Sequence, residues 1–534
     1  MQATIVAPQP EAADAGALVL ERGGNAIDAA LTCALVQGVV DPQMASLGGF
    51  GHMQVYMPGK GIHEVLEFYA RAPLKATADM WQSHLIGQSS DGFGFIIKDH
   101  LNEVGHQAVC TPGSVKGYAY AAERYGTFDW QDLFASAINY ADKGFMVRPH
   151  VHWYWTKDQR GENLVNMLDK LRYSPSGHDI YFNADGSVKH QGQIVTNPDL
   201  ARTLATLAVE GPEVFYTGSI ARQIAEDMRK HGGLIDEQDL ASYSVSLSAP
   251  LTRKYRGHQI ATTQPPSSGM SMLQLLKMLE HFDISAYRHS SADHLQLLAE
   301  AMKRMTRDKD QYLGDPEDVN VPVEHLLSDA YAAEQAASIR AGERGQVLRL
   351  DSKDRDTTHI SVVDKHGNCV ALTHSLGSPS GVIPKGLGFM LNGTMSRFDP
   401  RPGRSGSIAP GKRRASSAAP TIVFKDDAPK LVIGAPGGSY IAPAVAQAIM
   451  NVVDFSMPVM EAIQAPRIVA VSNAIDVSNR IRPGVTDELT GRGYHVRRST
   501  ASYAFAALHG LEINGSQSRG AADPQRDGMS ITVD

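Results

Sequence analysis

The nine residues Asp356-Thr357-Thr358-His359-Ile360-Ser361-Val362-Val363-Asp364 decide how the rest of the chain is read. A β-type run ends in the turn Asp364-Lys365-His366-Gly367-Asn368. A second run follows, Cys369-Val370-Ala371-Leu372-Thr373-His374-Ser375-Leu376. Two short apolar runs joined by an Asp/Gly/Asn turn predict a β-hairpin. The hydroxyls give the hairpin its interest: Thr357 and Thr358 at the start, Thr373 and Ser375 on the return strand. An internal threonine is a weak nucleophile with no base beside it. Freed as a chain terminus, it carries its own base, an α-amino group with an unperturbed pKa of about 7.7–8.0. A Thr-Thr pair alone is ordinary strand sequence, since β-branched residues suit strands. Other segments have to decide.

Composition removes several classes. The 534 residues are 43% hydrophobic and 20% charged, as in a globular protein with a large core. The net charge of -7 comes without blocks of like charge, so no nucleic-acid partner is expected. The three cysteines, Cys33, Cys110 and Cys369, form neither a disulfide framework nor a C-x-x-C motif. The 20 histidines contain no H-E-x-x-H pattern, so neither metal nor cofactor is expected. No apolar run reaches the ~18 residues of a membrane span. The N-terminus shows no charged-then-apolar leader, and a complete chain would then be cytoplasmic.

Going along the chain, Met1 to Pro8 leads straight into a helix, Glu11 to Leu20, stopped at Gly23-Gly24. Asn25 caps a second, nearly all-apolar helix, Ala26 to Val40, which is therefore buried. The glycine loop Leu47-Gly48-Gly49-Phe50-Gly51 leads into a strand, His52 to Tyr56. Residues 150–195 read as helical and partly exposed, with no chemistry to assign. Leu251 to His258 and Ile260 to Thr263 alternate as strands. Pro265-Pro266-Ser267-Ser268-Gly269 launches a helix, and a longer one follows from Ala292. Residues 317–356 read as a polar surface linker running up to Thr357. Gly377 to Ser416 is a long loop of the kind that often forms a lid. Gly434-Ala435-Pro436-Gly437-Gly438-Ser439 opens a further helix, and consecutive N–H groups in such a turn make an anion site.

Asp-Thr-Thr-His-x-Ser-Val-Val-Asp resembles the processing site of the γ-glutamyltranspeptidase family, which belongs to the N-terminal-nucleophile hydrolases. So do Gly23-Gly24-Asn25-Ala26-Ile27-Asp28, Ser416-Ser417 with Pro420-Thr421-Ile422-Val423, and Gly434 to Ser439. The similar segments run from residue 5 to about residue 530. The resemblance implies an α+β fold, a four-layer αββα sandwich. It also implies a proenzyme that cuts itself between Asp356 and Thr357 into a large subunit, 1–356, and a small one, 357–534. The two would intertwine as one domain, with a dimer of these heterodimers left open.

Carried over position by position, the resemblance makes Thr357 the nucleophile and Ser375 the hydroxyl that contacts it. Gly437 and Gly438 become the oxyanion hole, and Ser416 and Ser417 the carboxylate-binding pair. The glutamate-recognition set departs. Arg397 stands where the family carries an Asp for the substrate's α-ammonium, and Tyr69 where it carries an Arg. Gly377 replaces an Asn, Thr394 a Gln, and Arg71 comes two residues after Tyr69. An arginine facing an ammonium at 4 Å costs about 4 kcal/mol at an effective dielectric near 20. The expected substrate is therefore an amide of a small acyl group with a carboxylate and no α-amino group, bound by Arg397 in bidentate geometry. Relatives of that type include oxamate amidohydrolase and the acylases. Arg397 could instead turn out to solvent beside Arg401 and Arg404. Two further readings stand beside this one: ordinary γ-glutamyl transfer or glutathione hydrolysis, and a non-catalytic binding paralogue.

Overall fold

The computed structural model describes residues 1–88, 95–158, 164–347 and 357–534. The hairpin stands at the middle of the molecule. Its strands, Thr358–Val363 and Cys369–Ser375, pair antiparallel, with Thr358 opposite His374 and His359 opposite Thr373.

Thirteen strands build two sheets, numbered in chain order. They are β1 (Ala3–Ala7), β2 (Phe50–Met57), β3 (Ile62–Phe68), β4 (Ser246–Ser248), β5 (Leu251–Tyr255), β6 (His258–Thr262), β7 (Thr358–Val363), β8 (Cys369–Ser375), β9 (Thr421–Lys425), β10 (Ala428–Gly434), β11 (His509–Asn514), β12 (Gln517–Ala522) and β13 (Met529–Val533). The first sheet runs β13-β1-β7-β8-β2-β3-β4 and the second β12-β11-β10-β9-β6-β5. All neighbours in both are antiparallel.

Side-chain alternation along the hairpin assigns each face. Ile360, Val362, Val370 and Leu372 join the core beneath helices α1 (Pro10–Glu21) and α2 (Ala26–Val40). Val363, Cys369 and Ala371 point the other way, against Ile422, Val432 and Leu511 of the second sheet. That sheet's outer face carries α3 (Gly269–Leu279), α4 (Ala292–Tyr312) and α5 (Ile441–Val453) over a third core. The layers are therefore helix, sheet, sheet, helix, as the αββα expectation requires. No helix among the described residues is long and apolar enough to cross a membrane.

Local chemistry fixes the register. Asn25 caps α2 as read: its side chain accepts from the N–H groups of Ile27 and Asp28, and Asp28 returns a bond to the Asn25 N–H. The hairpin turn is tied to the same helix end, because the Asp364 carboxylate accepts from the Ala26 N–H at 3.0 Å and from Asn368 Nδ2 at 2.7 Å.

Three expectations need correction. Residues before Pro8 form β1, an interior strand of the first sheet, because Ala3-Thr4-Ile5-Val6-Ala7 is flanked on both sides. The stretch read as a surface linker holds a 12-residue helix, Asp329–Arg340, capped by Ser328 and packed through Ala332 and Ala336; its last part, 348–356, lies outside the described residues. The long loop 377–416 is no lid: 377–384 and 387–400 are buried. Asn392 pins it by donating to the carbonyls of Gly48 and Cys110.

One close approach secures the inter-sheet face behind Thr357. A Cβ on Gly434 would lie 2.3 Å from the His359 ring, which is bonded to Thr373 at 2.8 Å. Gly434→Ala is expected to destabilise the fold by about 1–3 kcal/mol through overpacking. Thermal unfolding checks this, and an unchanged midpoint would contradict it.

Candidate active site

The register places Thr357 one step beyond the last hairpin pair, opposite Ser375. Its hydroxyl Oγ1 donates to Ser375 Oγ at 3.3 Å. Ser375 Oγ in turn accepts from the Gly377 N–H at 2.7 Å. From the far end of the chain, Arg526 Nη1 donates to the Thr357 carbonyl at 2.6 Å, which holds the backbone of this residue in place.

Thr357 and Ser375 border a small cavity, about 30 Å³, between the ends of the two sheets. So little room suits only a small acyl group. Arg397, Ser416, Ser417 and Gly438 line it as well. Arg397 closes a short 3-10 turn, Thr394–Arg397, and is 9% exposed. Its Nη2 donates to the Gly377 carbonyl at 3.2 Å. Arg397 thus faces inward, whereas Arg404 is exposed and Arg401 pairs with Asp399. Ser416 Oγ accepts from the Ala418 N–H and lies 3.1 Å from His52 Nε2. The buried Ser417 hydroxyl has no hydrogen-bond partner among the described residues.

Gly437 and Gly438 turn the chain from β10 into α5 with φ of 143° and 55°. A side chain at either would be strained there, and glycine lets consecutive N–H groups face one side. Gly438 borders the cavity; Gly437 precedes it and does not.

Three residues expected at the substrate do not line the cavity. The Tyr69 hydroxyl bonds Ser267 at 2.7 Å and its ring packs edge-on behind His52, with centroids 4.4 Å apart. Arg71 spends its backbone on bridges to Thr111 and Arg413, and its half-buried side chain reaches only the Gly411 carbonyl, at 3.4 Å. Thr394 is fully buried and donates to Asn392 Oδ1 at 2.7 Å, helping to fix the loop. Asp356 lies outside the described residues.

Two lining residues were not singled out from the sequence, Arg414 and His52. Arg414 is buried and stacks over Phe50, 4.5 Å from the ring centroid. Burial pushes its guanidinium down to about 10. A signal was available in the Arg413-Arg414-Ala415-Ser416 run, because successive residues of an extended segment face opposite ways. Arg413 points back to Asp315, at 3.0 Å, while Arg414 turns to the cavity with Ser416. His52 is held neutral: burial, with help from Arg414 and Arg413, lowers it to about 3. No acidic side chain lines the cavity among the described residues.

A threonine hydroxyl beside a second hydroxyl, a glycine turn and two guanidiniums can support acyl transfer on a substrate that carries a negative charge. Comparisons with known proteins give the family. The family model for γ-glutamyltranspeptidase matches residues 12–533. The chain is 36% identical over 549 residues to the Acylase ACY 1 proenzyme of Pseudomonas sp. (strain V22), covering 99% of this chain and 93% of that protein. It is 34% identical over 490 residues to the glutathione hydrolase proenzyme of Escherichia coli (strain K12), covering 87% and 80%. The crystal structure of cephalosporin acylase from Bacillus halodurans superposes with a TM-score of 0.87 at 27% identity, over 99% of this chain and 95% of that one. The chain belongs to the γ-glutamyltranspeptidase family of enzymes, within the N-terminal-nucleophile hydrolases.

Proposed function

We propose that the protein is a self-processing N-terminal-threonine amidohydrolase that cleaves amides of a small carboxylated acyl group. One observation carries the reading: Thr357, Ser375 and Arg397 border the same small cavity.

Processing comes first. The Thr357 hydroxyl attacks the Asp356 carbonyl, the peptide bond becomes an ester, and water opens that ester to free the Thr357 α-amine. The products are a large subunit, 1–356, and a small one, 357–534. They stay together because β1 and β2 of the first sink their edges against β7 and β8 of the second. The proenzyme names of the relatives in Pseudomonas and Escherichia coli support such processing here.

In turnover the free α-amine takes the Thr357 hydroxyl proton, and Oγ1 attacks the substrate carbonyl. The Ser375 hydroxyl, 3.3 Å away, orients that oxygen. N–H groups of Gly437 and Gly438 take up the developing oxyanion, each such donor being worth about 2.7–4 kcal/mol in comparable sites. The C–N bond breaks and the amine leaves with the proton. Water, deprotonated by the same α-amine, then splits the acyl ester, which returns the Thr357 hydroxyl and releases the acid.

Arg397 supplies the specificity. A guanidinium attracts the acyl carboxylate and repels an α-ammonium, which disfavours γ-glutamyl donors such as glutathione. The glutathione hydrolase relatives keep ordinary γ-glutamyl chemistry as the rival reading.

Thr357→Ala should run as one full-length band on a denaturing gel and show no amidase activity, whereas the wild type shows two. Uncut wild-type protein that is nonetheless active would exclude the N-terminal-nucleophile mechanism. Arg397→Ala should raise KM for a carboxylated amide roughly 10- to 100-fold, the equivalent of one charged hydrogen bond. Arg397→Asp should abolish that activity. Faster turnover of γ-glutamyl-p-nitroanilide than of any amide lacking the α-amino group would decide for the rival.

A further inference from the structure

Two guanidiniums line the cavity, where a monoanionic substrate calls for one. Arg397 accounts for one carboxylate. Arg414 is a second guanidinium, 6% exposed, on the same wall. Its one side-chain hydrogen bond is from Nη1 to the carbonyl of its neighbour Ala415, at 2.8 Å. Its Nε is buried without a hydrogen-bond partner, and no carboxylate pairs with it among the described residues. Neighbouring arginines solve the same problem differently: Arg413 is neutralised by Asp315, and Arg467 by Asp523. Buried charges are ordinarily paired, because leaving one unpaired in a poorly solvated site is costly.

The two cavity arginines converge on Gly377. Arg397 donates to its carbonyl, and Arg414 Nη2 lies 3.3 Å from where a Cβ of residue 377 would stand. A side chain at 377, whose φ is 70°, would meet Thr394 Cγ2 at 2.5 Å and Phe50 at 3.1 Å, so glycine is what lets both guanidiniums lie against this residue. Among the described residues, the other polar side chains lining the cavity are uncharged: the hydroxyls of Thr357, Thr373, Ser375, Ser416 and Ser417, and neutral His52. Burial lowers the Arg414 guanidinium to about 10, so it stays charged at neutral pH.

We infer that this cavity is a dianion site, in which Arg414 and Arg397 together hold both carboxylates of a short dicarboxylate, the acid that hydrolysis itself releases. The inference rests on the proposed amidohydrolase reading for the identity of that acid. Cleavage turns the amide carbonyl of a monoanionic substrate into a second carboxylate, with loss of a proton. The product therefore matches the site's charge better than the substrate does, and it restrains further turnover as a competitive inhibitor. The small cavity limits the ligand to a short chain.

The test takes the processed wild-type protein and two series, the diacids oxalate to glutarate and the matching monoacids acetate to pentanoate. Binding is read by titration calorimetry, and inhibition as Ki against a carboxylated p-nitroanilide. At least one diacid should bind tighter than its monoacid by about 30-fold or more, the gain of a second charge-assisted contact. Arg414→Gln should cut that preference to about threefold, and Arg414→Lys, which keeps the charge but not the planar fork, should retain part of it. Equal binding of diacids and monoacids by the wild type would overturn the inference, as would a preference that survives Arg414→Gln. Should Arg414→Gln fail to fold, the wild-type series and Arg414→Lys decide. Calorimetry does not depend on turnover. An enzyme that hydrolyses carboxylated amides without preferring diacids refutes the dianion site alone, and one that binds diacids but cleaves no such amide refutes the amidohydrolase reading.

Discussion

Pairing of β7 with β8 is the constraint from which the site follows. Six matched residue pairs from Thr358/His374 to Val363/Cys369 lock the register, and a slip of one would turn His359, Ser361 and Val363 away from the second sheet. Because the register holds, Thr357 arrives opposite Ser375, at the mouth of the space between the sheets. The turn carboxylate Asp364, bonded to the first N–H of α2, fixes the hairpin against the helical layer. On one side of the hairpin lies an apolar core under α1 and α2. On the other, polar groups line up behind the threonine: His359 with Thr373, and Ser361 with the His509 carbonyl.

Charge is the second constraint. A sandwich of this kind buries its interior thoroughly, and cations within it need a counter-charge. Arg413 and Arg467 find theirs in Asp315 and Asp523. Arg414 is placed differently, beside a hydroxyl nucleophile candidate in a cavity with no acidic lining residue among the described residues. On the proposed reading, affinity for an anionic acyl group and exclusion of an α-ammonium have one electrostatic cause. Family membership fixes the class of chemistry; these side chains adjust the charge it acts upon.

Much of this was legible in the sequence because it rests on short-range rules. The hairpin, the Asn25 cap, the all-apolar α2 and the glycine turn before α5 are each encoded within a few residues. Strand β1 was missed since five residues without alternation look alike in a strand and in a helix lead-in; only pairing with β7 and β13 decides. Loop 377–416 was taken for a lid from its Gly, Pro and Arg content, but its burial depends on Asn392 reaching carbonyls of Gly48 and Cys110, contacts about 340 and 280 residues apart in the chain. Tyr69 and Thr394 stand at family substrate positions, yet a change of side chain redirects each to a structural partner, Ser267 or Asn392. Arg414 is not legible in the sequence because its significance lies in having no carboxylate beside it among the described residues, which is a three-dimensional property.

The central claim is that Thr357 carries the acyl group of a carboxylated amide. Rapid quenching of the enzyme with such a substrate, followed by intact mass measurement and fragmentation of the small subunit, tests it most directly. The account predicts a fragment that begins at Thr357 and is heavier by the acyl mass, with the label on that residue. An unmodified small subunit during steady turnover, or a label on another residue, would contradict it.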